Sequence, residues 1–471
     1  MSPSKRFAFA PISADTRPLY ILRPDELAAF LSGPGKPWAG WLKAAGFEAG
    51  IGDLRLLPAP DGKGVAGAVA GLGNDAARRR LRFGLAKAVP ALPEGDWRLE
   101  GNLSPAEAFE AALGWLLSGY RFDRYRPGRK PAPQPRLVCP AGLDPARLIA
   151  MAEAEALTRD LINTPAEDLG PDALEAAVEA LAKRFKAKVK TVKGAALLKD
   201  GFPMIHAVGR ASPREPRLID LHWGKKGPKL TLVGKGVCFD TGGLNIKPSN
   251  GMNLMKKDMG GAATVLGLAQ MIMELGLKLQ LRVLIPAVEN VIAGNAIKPK
   301  DILTSRKGLT VEVNDTDAEG RLILADALAF ACEDKPDVLI SMATLTGAAR
   351  VAVGPDLAPY YTDDTAIVAA LEAGAVAGCD PVWRLPFHDA YESVIEPGIA
   401  DLDNAPGYGF AGSVTAALFL RRFVQDTRYL HFDIYGHTPS DQPARPKGGV
   451  GQGARAVLGA LPLVLGMPEG Q

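Results

Sequence analysis

The sequence predicts an α/β protein of two domains, the smaller one first, with a largely parallel and buried sheet in the second. Two observations predict this. At 471 residues, the chain is too long for one ordinary hydrophobic core. From about residue 170 onward, apolar strand-like runs alternate with helical patterns, which is typical of a parallel sheet covered by helices. The domain boundary is therefore expected near 140–170.

The first domain is predicted to span residues 1–140, where short strand-like and helix-like pieces are interrupted by glycine and proline. The stretch 124–136 (RYRPGRKPAPQPR) combines prolines with cations and is interpreted as an extended linker or surface excursion. A helical run that ends at Pro165 follows. Residues 141–170 are thus predicted to be a linker with a connecting helix, and residues 171–471 the second domain.

Within the second domain, apolar and β-branched runs predict strands, and amphipathic or apolar runs of helical period predict helices. The predicted strands are 217–223, 229–239, 279–288, 309–313, 337–345 and 429–436. The predicted helices are 172–185, 260–276, 321–333 and 411–424.

Composition argues against several classes of protein. With 47% apolar residues and no apolar run near the roughly 18–20 residues of a membrane span, we expect a cytoplasmic protein without membrane contact. The N-terminal apolar stretch is broken by Pro11, which makes a poor signal peptide. The four cysteines are far apart and form no CxxC pair, so we expect free thiols: Cys139, Cys238, Cys332 and Cys379.

The net charge of +3 does not indicate an acidic partner. Basic clusters occur at Arg78–Arg80 with Arg82, and over 121–130. We interpret both as solvated or interface faces and do not expect nucleic-acid binding, although these clusters keep it open as an alternative.

A strand from Leu230 to Val233 runs into a glycine-rich segment that carries one group of candidate site residues. Its glycines allow backbone to approach a ligand or ion closely. The charged residues threaded through it are Lys235, Asp240, Lys247 and Asp258. Loops at the ends of buried strands are where chemistry concentrates in α/β domains.

The second group is Asp317, Glu319 and Arg321, which follow the strand at 309–313. In extended backbone alternate residues share a face, so these three side chains are expected to project together. Adjacent carboxylates repel unless a cation lies between them, and acidic clusters in such loops suit divalent ions. The arginine, near a helix N-terminus, is a candidate anion-binding residue.

Other interpretations of these residues stay open at this stage. Asp258, taken alone, is interpreted as a helix N-cap, and Asp317 and Glu319, taken alone, are interpreted as paired surface charges. The glycine-rich loop is a candidate phosphate cradle, although it lacks P-loop spacing. Cys238 is a candidate nucleophile, but a buried thiol fits its apolar neighbours better. No GxSxG or HExxH motif occurs.

The two segments resemble the signature of the leucyl aminopeptidase family, the hexameric two-metal exopeptidases also called cytosol aminopeptidases. The resemblance is carried by VGKGVCFDTGGLNIKP with MKKDMGGAA, and by NDTDAEGRLILADAL. Shorter matches lie at 118–125, 159–171, 343–348 and in the C-terminal region. It implies a small N-terminal α/β domain joined by a helix to a larger catalytic α/β domain, whose central sheet is mixed, mostly parallel and flanked by helices.

The resemblance also implies roles for individual residues. One metal would be bound by Lys235, Asp240, Asp258 and Glu319, and the other by Asp240, Asp317 and Glu319. Lys247 would stabilise the oxyanion, while Arg321 would hold a bicarbonate that serves as general base, assisted by the backbone of Leu345. The positions similar to those that line the pocket for the N-terminal side chain are Met255, Thr344 and Gly347.

Charge balance supports this ligand set. Two divalent ions match four carboxylates only if Lys235 binds as the free amine, whereas Lys247 must remain a cation for its role. Two positions depart from the family pattern: Thr241 replaces a serine, and Asp315 replaces an asparagine. The second change adds negative charge beside the second metal and leaves metal identity open.

The resulting functional hypothesis is a metal-dependent aminopeptidase that removes an N-terminal residue, apolar and leucine-like, from peptides. The implied cofactors are two divalent ions per subunit, Zn²⁺ or Mn²⁺, with a hydroxide bridging them as nucleophile and bicarbonate as a further cofactor. A homo-hexamer is implied. The alternative is a family member with an additional or substitute DNA-binding or chaperone-like role.

Overall fold

The structure is a computed structural model and describes residues 6–126, 128 and 134–468. It divides into two compact units. The first comprises the residues up to Ala156 together with Ser440–Lys447, and the second comprises Leu157–Pro439 together with Gly448–Gln471. The inclusion of an eight-residue segment from late in the chain was not expected from the sequence. Within the predicted linker at 124–136, residues 127 and 129–133 lie outside the described residues, and 135–136 belong to a short strand of the first unit.

The first unit is built around a five-stranded sheet in the order β2-β3-β1-β4-β5, in which only the β2–β3 pair is antiparallel. Its longest complete helix, α4, begins with a capping box: Ser104 accepts a hydrogen bond from Glu107 N, and Glu107 accepts one from Ser104 N. The elements are β1 (Arg17–Leu22), α1 (Leu27–Ser32), α2 (Ala39–Ala44), β2 (Leu54–Pro58), β3 (Val65–Gly71), α3 (Asp75–Arg80), β4 (Gly95–Glu100), α4 (Pro105–Ser118), β5 (Pro135–Leu137) and α5 (Pro145–Asn163). The last of these, α5, continues into the second unit.

The second unit contains the remaining helices and strands. The helices are α6 (Pro171–Phe185), α7 (Ala196–Lys199), α8 (Pro203–Gly209), α9 (Ser249–Met252), α10 (Gly260–Glu274), α11 (Glu319–Glu333), α12 (Gly347–Val353), α13 (Thr365–Ala377), α14 (Gly412–Arg421) and α15 (Ala454–Val464). The strands are β6 (Lys188–Lys193), β7 (Arg217–Trp223), β8 (Lys229–Gly234), β9 (Gly236–Asp240), β10 (Gln280–Asn290), β11 (Ile302–Thr304), β12 (Thr310–Glu312), β13 (Val338–Ala343), β14 (Ala358–Tyr361), β15 (Val382–Arg384), β16 (Leu402–Asp403), β17 (Tyr429–Asp433), β18 (His437–Thr438) and β19 (Gly448–Gly449).

The central sheet of the second unit has nine strands in the order β15-β14-β17-β13-β8-β10-β7-β6, with β9 paired to β10. The pairs β14–β17, β10–β7 and β6–β7 are antiparallel and the others are parallel. The predicted mixed, mostly parallel sheet is therefore confirmed. β12, predicted from 309–313, instead joins β11 and β16 in a separate three-stranded sheet.

Two buried helices cover the parallel strands and lead into the site. In α10 nearly every residue is buried, and Gly261 lies so close to β13 that a Cβ there would meet Met342 O at 2.1 Å. In α11 the first ten residues are buried. The first turns of both helices lie against Lys235 at the end of β8: Ala262 N donates to Lys235 O at 2.9 Å, and Gly320 lies against the Lys235 side chain. Within the described residues, no helix has the length and apolar character needed to cross a membrane.

Candidate metal centre

The candidate site is centred on Lys235, the single residue between β8 and β9. Its N–H donates to Met342 O at 3.0 Å, and its carbonyl accepts from Ala262 N at 2.9 Å. The backbone is thus bonded to both β13 and α10. The buried Lys235 side chain reaches the carboxylates that gather at this sheet edge.

Three of these carboxylates form a compact cluster, since Asp240, Asp317 and Glu319 offer oxygens that lie within 4.8 Å of one another. Asp240 Oδ1 is fixed by hydrogen bonds from Gly242 N at 2.8 Å and from Asn290 Nδ2 at 2.9 Å. Gly242 has φ +88°, and a side chain there would approach Asp317 Oδ1. This glycine therefore allows the loop to pass beside the cluster.

The carboxylate of Asp258 is not a helix N-cap, so that alternative is wrong. Helix α10 begins at Gly260, with Met259 at the cap position and no capping side chain. Asp258 instead follows a short 3₁₀ turn, and its Oδ2 lies 2.8 Å from Lys235 Nζ. Its Oδ1 accepts a hydrogen bond from Thr344 Oγ1 at 2.8 Å.

The residues Asp317, Glu319 and Arg321 do converge near the site, but not through extended backbone as expected. β12 ends at Glu312, and α11 already begins at Glu319. A turn precedes the helix, in which Asp315 Oδ1 accepts from Asp317 N at 2.8 Å. Asp315 thus braces the backbone that presents Asp317, a role that an asparagine side-chain oxygen can also fill.

Two lysines contact different carboxylates of the site. Lys235 Nζ lies 2.8 Å from Asp258 and 3.0 Å from Glu319, whereas Lys247 Nζ lies 2.9 Å from Asp240 and also contacts Asp317. Burial acts to lower the pKa of both lysines, but the neighbouring carboxylates outweigh it and raise both. Both lysines are therefore cations in this arrangement.

The carboxylates respond to burial and to one another. Burial and Asp240 raise the pKa of Glu319 well above its usual range, and the same causes raise the pKa of Asp317 to about 7. For Asp258, burial acts in the same direction, but Lys235 outweighs it, and the pKa is lowered. The pKa values of Glu319, Asp317 and Asp258 are thus shifted in different directions within one pocket.

The donor set fits divalent cations. Four carboxylates share two ammonium groups here: Lys235 contacts Asp258 Oδ2 and Glu319 Oε1, and Lys247 contacts Asp240 and Asp317. Within the described chain, the buried Glu319 Oε2 accepts no hydrogen bond and contacts neither ammonium. Buried carboxylate oxygens without donors are costly unless a cation is close. Carboxylates together with an amine nitrogen are suitable ligands for Zn²⁺ or Mn²⁺.

Arg321 is buried beside this cluster. One guanidinium nitrogen donates to Asn404 O, while Nε has no hydrogen-bond partner among the described residues. Burial lowers the pKa of this guanidinium. A buried donor without an acceptor fits the expected binding of a small anion at this position.

A cavity of about 550 Å³ opens onto the cluster. Its lining includes the predicted pocket residues Met255, Thr344, Leu345 and Gly347. It also includes three residues that the sequence analysis did not single out: Lys257, Arg350 and Tyr435. Lys257 lies within the first motif and could have been singled out there. Arg350 is three residues beyond Gly347, and this helical spacing could have indicated that it lies near the pocket.

Asp433, at the end of β17, was also missed. Its Oδ1 accepts hydrogen bonds from Leu345 N at 3.1 Å and Thr346 N at 2.9 Å. Its Oδ2 accepts from Thr346 Oγ1 at 2.6 Å and Ser413 Oγ at 2.7 Å. This buried carboxylate therefore fixes the loop between β13 and α12, which forms one wall of the cavity.

Cys238 takes no part in the cluster. It is buried, and burial raises its pKa well above the usual range. All four cysteines are free, as expected from their spacing. A neutral buried thiol does not act as a nucleophile.

Comparison with known families agrees with this geometry. Residues 156–458 match the catalytic domain of the cytosol aminopeptidase family, and residues 17–140 match the N-terminal domain of M17 aminopeptidases. The chain belongs to the cytosol aminopeptidase family. The family resemblance is thereby confirmed, and with it the class of enzyme, a peptide-bond hydrolase.

Two solved structures of similar proteins match nearly the whole chain, and a similar sequence matches about three quarters of it. The crystal structure of cytosol aminopeptidase from Coxiella burnetii has a TM-score of 0.90 and 42% identity, covering 96% of this chain and 98% of that one. A protein named "Probable cytosol aminopeptidase" from Caulobacter vibrioides is 40% identical over 365 residues, 74% of each chain. The bottromycin maturation enzyme BotP in complex with Mn has a TM-score of 0.85 and 31% identity, covering 95% of this chain and 99% of that one.

Proposed function

We propose that this protein is a two-metal aminopeptidase that hydrolyses the N-terminal residue from peptides. The observation that carries this proposal is the cluster of Asp240, Asp317 and Glu319, whose oxygens lie within 4.8 Å of one another beside Lys235 and a cavity. A site of this kind is stable when cations complete it.

The proposed ligands are those implied by the family signature. Lys235, Asp240, Asp258 and Glu319 would hold one ion, and Asp240, Asp317 and Glu319 the other. When bound, two Zn²⁺ or Mn²⁺ ions supply an activated water and neutralise negative charge on the reacting carbonyl. To serve as a ligand, Lys235 must lose the proton that it carries among the carboxylates.

The chain's own residues supply the remaining chemistry. Lys247 is proposed to stabilise the oxyanion, since neighbouring carboxylates keep it a cation at neutral pH. Arg321 is proposed to hold a bicarbonate as general base through its unpaired Nε, with the Leu345 backbone beside it. Asp433 would position that backbone through its hydrogen bond to Leu345 N.

The N-terminal side chain of the substrate is proposed to lie against Met255, Thr344 and Gly347, with an apolar, leucine-like preference. The apolar surfaces of Met255 and Leu345 in the cavity support this. We further propose a cytoplasmic homo-hexamer, as the family resemblance implies. The described residues provide no observation that favours a DNA-binding or chaperone-like role.

The test is metal analysis combined with hydrolysis of leucine amide. Chelation is expected to abolish hydrolysis, and Zn²⁺ or Mn²⁺ to restore it. Asp258→Asn is expected to bind less metal and to lose activity by roughly 100-fold or more, because a ligand is removed. Full activity in the chelated wild type would overturn the proposal.

A further inference from the structure

The ammonium of Lys257 is buried, and none of the described residues forms an ion pair with it. Only 7% of the residue is exposed, and Nζ lies 4.9 Å from the centre of the Tyr435 ring. Within the described part of the chain, it forms neither an ion pair nor a side-chain hydrogen bond. An aromatic face compensates only part of the loss of hydration of a buried ammonium. The described residues thus supply no carboxylate that contacts this ammonium, and a ligand could supply one.

A second cation contacts the same ring. The guanidinium carbon of Arg350 lies 5.1 Å from the Tyr435 ring centre. Arg350 is exposed and, among the described residues, likewise forms no ion pair. Arg350 follows Gly347 by three positions in α12, so the two residues lie on the same face of this helix.

The other cations of this cavity already have partners. Lys235 and Lys247 are each paired with two carboxylates, and Arg321 donates to Asn404 O. Lys257 and Arg350 both line the cavity, and together with Tyr435 they form a patch that we call the cationic wall. Like charges on one ring repel each other, so an anion bound between them is favoured.

We propose that the cationic wall binds the side-chain carboxylate of an acidic N-terminal residue, so that the enzyme accepts glutamyl peptides. This inference rests on the proposed aminopeptidase function. Lys257 is two residues from Met255, and Arg350 is in the same helix as Gly347, the positions proposed to contact the N-terminal side chain. A glutamyl side chain has an aliphatic stem for Met255 and a terminal carboxylate for Lys257.

The alternative anion in a short peptide is its C-terminal carboxylate. Aminoacyl anilides lack that group and so isolate the contribution of the side chain. Glutamyl and glutaminyl anilides have nearly the same shape and differ in charge. Their kcat/KM ratio therefore measures recognition of the carboxylate itself.

The experiment compares glutamyl, glutaminyl and leucyl anilides on metal-loaded wild type, Lys257→Met and Arg350→Gln. Wild type is expected to prefer glutamyl over glutaminyl substrate by about tenfold or more, as a buried charge-assisted contact would give. Each variant is expected to bring that ratio toward unity. Lys256→Met is the matched control, since Lys256 Nζ donates to Asn163 O and does not line the cavity; its ratio should equal that of wild type.

The outcomes separate this inference from the proposed function. If leucyl anilide is hydrolysed but glutamyl is no better than glutaminyl substrate, the inference fails and the aminopeptidase function stands. A glutamyl preference that survives both substitutions also overturns it. If no anilide is hydrolysed by the metal-loaded enzyme, the proposed function itself fails. Arg350 is on the surface, so its variant remains informative even if Lys257→Met does not fold.

Discussion

Lys235 Nζ lies 2.8 Å from Asp258 Oδ2, and both side chains are almost completely buried. In this pair the lysine is charged, because Asp258, Glu319 and Asp240 together outweigh the effect of burial on its pKa. A metal ion, however, binds the free amine. The pair therefore couples metal binding to loss of a proton.

Metal binding is expected to release protons and to strengthen as pH rises. Lys235 and Glu319 have raised pKa values, and the pKa of Asp317 is about 7, so all three hold protons near neutrality that an ion must displace. Apparent affinity should increase about tenfold per pH unit for each proton released. Titration calorimetry of Mn²⁺ into chelator-stripped protein, in two buffers of different ionisation enthalpy, measures the number of protons released per ion bound. Lys235→Met should release roughly one proton fewer, and heats independent of buffer would contradict the expectation.

Gly320→Ala is expected to impair metal binding without removing a ligand. A Cβ at this position would meet Lys235 Nζ at 2.7 Å and Cε at 2.6 Å, so the lysine would have to move. A ligand displaced by about 1 Å should cost on the order of 100-fold in activity. Gly294→Ala is the control, because a Cβ there meets nothing within 4 Å. Equal metal content and activity in the two variants would contradict this role for Gly320.

Asp433 is expected to act on catalysis through the loop that it holds. Asp433→Ala leaves the N–H groups of Leu345 and Thr346 without their acceptor and should reduce kcat by roughly 100-fold. Asp433→Asn keeps one acceptor oxygen and should recover part of that loss. Steady-state kinetics on leucine amide, with metal content measured in parallel, distinguishes loop positioning from metal loss. If alanine and asparagine variants behave alike, the positioning role is wrong.

His431 should make the protein sensitive to acid. It is buried, its Nδ1 lies 2.8 Å from Ser341 Oγ, and burial lowers its pKa to about 3. The unfolded chain binds a proton here at about pH 6.5, so stability is present above that value and is lost as pH falls toward 3. Between pH 6.5 and 5 the loss should be about 2 kcal/mol for this residue.

Thermal unfolding of His431→Phe and of the exposed control His388→Gln tests this expectation. The difference in melting temperature between pH 6.5 and pH 5 should shrink in His431→Phe and stay as in wild type in His388→Gln. A pH dependence unchanged by His431→Phe would show that other groups cause the acid sensitivity.

Much of this protein was determined by its sequence alone. The alternation of apolar runs and helical periods predicted the sheet and its covering helices, because burial on both faces leaves strands continuously apolar. The glycine-rich and acidic motifs indicated the candidate site residues, because these lie in two short segments of the chain: Lys235, Asp240, Lys247, Asp258 and Glu319. The family follows from the same two segments.

Other features were decided by the tertiary structure. The convergence of Glu319 and Arg321 depends on a helix start, not on strand alternation, since the Asp315 turn ends the extended backbone early. Asp433 and Leu345 are far apart in sequence and meet only because β17 pairs with β13. The cationic wall likewise combines Lys257, Arg350 and Tyr435, which are far apart in sequence and meet only in the folded chain. Local pattern specifies which residue types are available, whereas their charge state depends on neighbours that only the fold provides.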